Sequence, residues 1–152
     1  MRSQIYAYTR PLLYENHFKF DDTATLAYFL TTKSTEVKRM MTSCVEIVAY
    51  KKPTGVIAMQ GLADCTNLRK VHIGTGVNTN ATPARAAKIF FNDAGHFLRA
   101  MKDVHGSVDK AVGILRFGRT EKCFGIKDGI QTRGWSDEEK SEFIATLKDL
   151  LK

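Results

Sequence analysis

The sequence predicts an α+β domain with an antiparallel sheet and two main helices. Three observations predict it. Short runs of β-forming residues follow one another at hairpin spacing, turn residues stand between them, and two long amphipathic stretches each follow three such runs. The expected order is β-β-β-α-β-β-β-α after an N-terminal β/α segment. It reads as a duplicated β-meander-plus-helix unit, although no residue-level repeat links the halves.

Within the N-terminal third, Gln4 to Thr9 alternates like a strand. Thr25 to Thr31 fits a strand or part of a helix, and Ser34-Thr35-Glu36 can cap a short helix through Met41, so residues 10–44 stay open. Asp21-Asp22, beside a helix start at Thr23, reads as capping. Val45 to Lys51 is rich in β-formers. Lys52-Pro53-Thr54-Gly55 then reads as a turn, which returns Val56 to Gln60 as the second arm of a hairpin. Leu68 to Ile73 is the third strand.

A long helix is expected from Thr82-Pro83, where threonine suits the N-cap and proline the first helical position, its missing N–H having no partner there. Phe90, Ala94, Phe97, Leu98, Met101 and Val104 recur on one stripe, and Gly106 ends it. Gly95, inside, costs about 1 kcal/mol relative to alanine and can let another backbone approach. Ala111 to Phe117, Cys123 to Lys127 and Ile130 to Trp135 form the second set of strands, with Asp128-Gly129 as a tight turn. The last helix opens on a capping box, Ser136 with Glu139, and buries Phe143, Ile144, Leu147, Leu150 and Leu151. This order resembles the single-strand-binding folds of the transcriptional-coactivator and Whirly type, a likeness that speaks to architecture rather than function.

A chain of 152 residues, 43% hydrophobic and 26% charged, is expected to form a single domain over 1–152. It can bury about 70% of its unfolded surface, so it needs no metal or disulfide to hold together. No run approaches the ~20 apolar residues of a membrane span, and Met1 to Tyr6 lacks the apolar core of a signal peptide. The expected location is cytoplasmic, or nucleoid or nuclear. Cys44, Cys65 and Cys123 are too few and too far apart for a disulfide framework or a zinc ribbon. The net charge is +7, and it is uneven: Ser136 to Lys152 carries a net −2 and residues 1–135 a net +9. Such a field attracts phosphate backbones.

The candidate interface follows from where the cations fall. Arg116, Arg119, Lys122, Lys127 and Arg133 lie on or beside the later strands, interleaved with Phe117, Phe124 and Trp135; Lys51, Lys52, Arg69 and Lys70 repeat the theme earlier. On an open sheet face, cations track phosphates while exposed aromatics such as Phe124 and Trp135 stack bases. Alternation along the strands would instead send Phe117, Phe124 and Trp135 inward. Lys122-Cys123-Phe124-Gly125-Ile126 carries only fragments of the RNA-recognition-motif consensus. Gly74-Thr75-Gly76, between a strand and a helix and supported by Arg85, is the candidate phosphate loop, but it departs from both G-x-G-x-x-G and the Walker pattern. His17, His72, His96 and His105 show no metal-ligand spacing, and of these His72, next to the glycines, is the one worth testing as a general base. No nucleophile motif, metal site or cofactor motif is present.

The leading expectation is a non-catalytic nucleic-acid-binding protein of weak sequence preference, single strands favoured. An interaction or inhibitory subunit meeting an acidic protein partner is the second reading. A nucleotide-binding protein or enzyme using the Gly74–Gly76 loop is the third. A homodimer through an unpaired edge strand fits any of them.

Overall fold

The computed structural model describes residues 12–77, 81–118, 125–128 and 131–152, with backbone alone for 125–128 and 131–133. The chain runs β1 (Phe18–Asp22), α1 (Thr23–Thr31), α2 (Thr35–Met40), β2 (Cys44–Ala49), α3 (Lys52–Leu62), β3 (Lys70–Thr75), α4 (Pro83–His105), α5 (Val108–Gly113), β4 (Leu115–Phe117), β5 (Gly125–Asp128), β6 (Gln131–Gly134) and α6 (Asp137–Leu151). β1 to β4 form one sheet in the order β1-β2-β3-β4, and every pair in it is parallel. The fold is therefore α/β, and the expected antiparallel sheet of duplicated meanders is not what forms. The likeness to the Whirly-type architecture falls with it.

The decisive difference lies at residues 52–62. Lys52-Pro53-Thr54-Gly55 is not a hairpin turn but the first turn of α3, with proline at a position where its missing N–H costs nothing. Gly55, Ala58, Met59 and Leu62 are buried at helical spacing. Gly55 is required because the Tyr50 ring occupies the space a Cβ would need. An 11-residue crossover helix of this kind is what allows β2 and β3 to run parallel.

The second difference is at Ala111 to Phe117. Gly106 takes a left-handed φ of 74° to end α4, and the Ser107 hydroxyl accepts from the Lys110 amide at 3.0 Å. A short helix therefore forms through Gly113, and only Leu115–Phe117 is left as strand.

Other expectations hold. Asp22 ends β1 and caps α1, its carboxylate accepting from the Thr25 amide at 2.8 Å. Ser34 caps α2. α4 ends where Gly106 was expected to end it, although the Thr82 side chain makes no capping bond. The capping box of Ser136 and Glu139 is complete. β5 and β6 pair antiparallel with Asp128 opposite Gln131, the register of a two-residue hairpin whose residues 129–130, like Gln4 to Thr9, lie outside the described residues.

Each step from β1 to β4 moves in the same direction across the sheet, and right-handed crossovers then place the connecting helices on one face. Accordingly α1 packs on α3, α3 on α4 and α4 on α6. The face beneath them is apolar: Phe20, Val45, Ile47, Val71, Ile73 and Leu115 are buried. They meet Met59, Phe90, Phe97, Leu98 and Phe143 in one core. Gly95 serves α4 differently from the expected backbone approach. A Cβ there would stand 3.2 Å from the Phe91 ring, over which Arg99 stacks at 5.1 Å.

Candidate functional site

The other face of the sheet is polar. Alternation along each strand turns Lys19, Glu46, His72 and Arg116 away from the helices. The register sets them in one row, Lys19 opposite Glu46, Glu46 opposite His72, and His72 opposite Arg116. Neighbouring strands stand about 4.8 Å apart, so these side chains are immediate neighbours. One rung away, Lys70 is paired in register with Cys44 and is exposed.

The described part of this face carries Lys19, Lys70 and Arg116 against Glu46 and Asp21, with Asp21 at the far end of β1 from Lys70. Glu46 is engaged by His17 Nε2 at 3.1 Å and by Lys19 Nζ at 3.7 Å. Arg116 turns its guanidinium back toward the start of β4 and donates to the carbonyl oxygens of Gly113 and Leu115. Those bonds orient the group and leave its charge intact. Arg69, just before β3, and Lys110, on α5, lie at the same end of the sheet. Among the described residues none of Arg69, Lys70, Lys110 and Arg116 is in ion-pair contact with a carboxylate. Glu15 borders a shallow cleft beside Arg69 without pairing to it.

The remaining expected cations divide between two places. Lys51, Lys52 and Arg85 lie at the opposite end of the sheet, beyond the C-terminal ends of β2 and β3. Lys51 is committed there, its ammonium 2.8 Å from the Asp22 carboxylate. The Lys51 hydrogen bond and the Thr25 amide bring the Asp22 pKa down to about 2. Thr23 completes this junction: its hydroxyl donates to the Lys51 carbonyl and accepts from the Lys51 amide, each at 3.0 Å, and lies 2.7 Å from the Thr54 hydroxyl. Lys52 and Arg85 are exposed and make no ion pair among the described residues. Lys127 and Arg133 belong to the hairpin, in register with Thr132 and Ile126. Arg119, Lys122 and Phe124 lie outside the described residues.

Trp135 is not available for stacking. It is 4% exposed, its ring packed 5.6 Å from that of Phe143. Phe117 faces the same way, between Phe90 at 5.8 Å and Phe143 at 5.5 Å. The inward alternative weighed for these two aromatics is the one that forms. Among the described residues, the polar sheet face carries no Phe, Tyr or Trp side chain.

The Gly74-Thr75-Gly76 segment serves the sheet. A Cβ on Gly74 would stand 2.6 Å from the Val48 carbonyl oxygen, and one on Gly76 would stand 2.5 Å from that of Tyr50. The Thr75 hydroxyl donates to the Val48 carbonyl at 3.0 Å, and the Thr75 carbonyl accepts from the Tyr50 amide at 2.8 Å. These glycines let the backbone pack against carbonyl oxygens next to the neighbouring strand.

Two features escaped the sequence. Tyr50 donates to the Asp93 carboxylate at 2.7 Å, a bond from the residue after β2 to α4 with no local signal. Lys110 joins Arg69 and Arg116 only because α5 precedes β4 in a parallel sheet. Among the described residues no group of His, Cys, Asp or Glu could hold a metal ion, and no helix is long and apolar enough to cross a membrane. No protein-family model, curated protein or solved structure gives a significant match to this chain.

Proposed function

We propose that the protein binds nucleic acid through the polar face of its parallel sheet, gripping phosphates with Lys70, Arg116, Arg69 and Lys110. One observation supports this reading: Lys70 and Arg116 on the face, with Arg69 and Lys110 at the same end of the sheet, make no ion pair with a carboxylate among the described residues. Such a face attracts any phosphate backbone and reads no sequence. With His72 the sole ring on the described part of the face, the phosphate backbone is the chief contact in this reading.

The test is retardation of an oligonucleotide duplex across a salt series. Each phosphate contact contributes about −0.9 to the slope of log K against log salt. Replacing Arg69, Lys70 and Arg116 together by alanine should flatten the slope by roughly 2 to 3. Lys51→Ala, whose charge Asp22 already balances, should leave it nearly unchanged. Wild-type protein that fails to retard the duplex at low salt would overturn the reading, as would a triple variant with the wild-type slope.

A further inference from the structure

The sheet ends on β1. Among the described residues, β1 pairs with β2 along one side and with no strand along the other. Such an edge presents a row of N–H and C=O groups to another chain, and proteins blunt it with proline, a bulge or a very short strand. β1 has none of these. It is five residues long, Phe18-Lys19-Phe20-Asp21-Asp22, and it keeps one offset against β2 from Phe18 to Asp22. β4, at the opposite side of the sheet, has only three residues.

On the helix side, the edge is flanked by half-buried aromatics. Tyr14 stacks 6.0 Å from Phe18, and Phe29 lies 5.8 Å from Phe18 and 5.2 Å from Phe20. On the open face, β1 carries two exposed side chains of opposite sign, Lys19 and Asp21. Asp21 makes no ion pair among the described residues. Lys19 stands 3.7 Å from a Glu46 carboxylate that His17 holds more closely, at 3.1 Å.

We infer that β1 pairs antiparallel with β1 of a second copy of this chain, Phe20 facing Phe20, so that two four-stranded sheets continue into one of eight. Charge selects that register. Identical antiparallel strands related by a two-fold axis place one residue opposite itself. With Lys19 on the axis, lysine faces lysine; with Asp21 on it, aspartate faces aspartate. With Phe20 on it, Lys19 of each copy faces Asp21 of the other. Asp22, which then faces Phe18, keeps its carboxylate on Lys51 and Thr25 of its own protomer. Opposed residues share a face, so the two helix layers fall on one side and the two open faces join on the other. The inference stands apart from the nucleic-acid reading.

The test is sedimentation equilibrium of the nuclease-treated full chain up to about 100 µM, above the dissociation constants of specific interfaces, which run from micromolar to picomolar. Wild type should dimerise reversibly. Lys19→Glu and Asp21→Lys each turn two attractive pairs into two repulsive ones, and each should weaken the dimer roughly tenfold or more. Both side chains are exposed, so the fold should survive, and circular dichroism checks it. Mixing the two single variants should restore association, because each then meets the opposite sign in the other. The double variant Lys19→Glu/Asp21→Lys should dimerise like wild type. A wild-type monomer throughout the series would overturn the inference, whether the edge is bare or covered by residues 1–11 of the same chain. Single variants that dimerise like wild type would place the contact elsewhere and overturn it too, as would a mixture or a double variant no tighter than the singles.

Discussion

Gly76→Ala probes the joint that holds β2 against β3. Gly76 has a φ of 87°, and a Cβ there would meet the Tyr50 carbonyl oxygen at 2.5 Å. The left-handed conformation alone costs a non-glycine residue about 1–2 kcal/mol. The clash adds an overpacking cost of about 1–3 kcal/mol, because Tyr50 cannot easily move aside. Its amide is bonded to the Thr75 carbonyl at 2.8 Å and its hydroxyl to Asp93 at 2.7 Å. The expected loss is about 2–5 kcal/mol, a fall in melting temperature on the order of 10 °C for a chain of this size. Calorimetry or thermal circular dichroism measures it. Gly113→Ala is the control: with open space around its Cβ, it should melt at or slightly above wild type, since alanine favours helix. A Gly76→Ala protein melting within a degree or so of wild type would refute the joint.

Two further perturbations test the packing between layers. Burial, with the Asp93 hydrogen bond, pushes the Tyr50 hydroxyl pKa well above its ordinary 10.0, and burial pushes the Cys65 thiol up to about 12. Raised acids favour the folded state fully below their unfolded pKa and lose that contribution as pH rises. Stability should therefore decline above pH about 9–10. Tyr50→Phe should cost about 1.5–3 kcal/mol near neutrality and make the alkaline decline shallower in urea unfolding, with the Cys65 part remaining; an alkaline limb as steep as wild type counts against the assignment. Lys102→Met removes an ammonium that donates to the carbonyl oxygens of Leu151 at 2.9 Å and Lys152 at 3.1 Å. A cation at a helix C-terminus contributes about 0.3–1 kcal/mol, so the urea midpoint should fall modestly and Lys102→Arg should restore part of it. An unchanged midpoint in Lys102→Met removes the capping role.

Local signals were legible where the local chain decides the outcome. Ser136 with Glu139, Ser34, Asp22 and Gly106 each set a helix end through bonds to residues three or four away or through a left-handed φ. The stripe from Phe90 to Met101 is buried as its spacing implies, and only Val104 emerges, at 53% exposure. Residues 52–62 were misread because Pro-Thr-Gly carries turn chemistry and helix-start chemistry alike, and Val56-Ile57 favours strand intrinsically. The fit of Gly55 beneath Tyr50 settles the matter through a contact that the segment's own pattern does not contain. The placement of the expected cations was partly legible. Arg69, Lys70 and Arg116 fall toward the same end of the sheet, but Lys51 is balanced by Asp22 and Trp135 is core, and each outcome depends on a partner distant in sequence.

The feature that misled the fold reading also bears on the proposed function. Parallel sheets are usually covered on both faces and read as unbroken apolar runs. Here β2 and β3 alternate, Val45-Glu46-Ile47 and Val71-His72-Ile73, with the central residue of each turned from the core. Alternation of that kind suits an antiparallel sheet with one wet side. In this chain it arises because strand order follows chain order, so right-handed crossovers stack the connecting helices on one face. A face built this way must tolerate water, which neutral polar residues could achieve. Lys70 and Arg116 instead concentrate one sign of charge beside His72, and the nearest acid in the row, Glu46, is already held by His17 and Lys19. Solvation alone does not call for cations at that end of the face, and the proposed phosphate contact across β3 and β4 would use them.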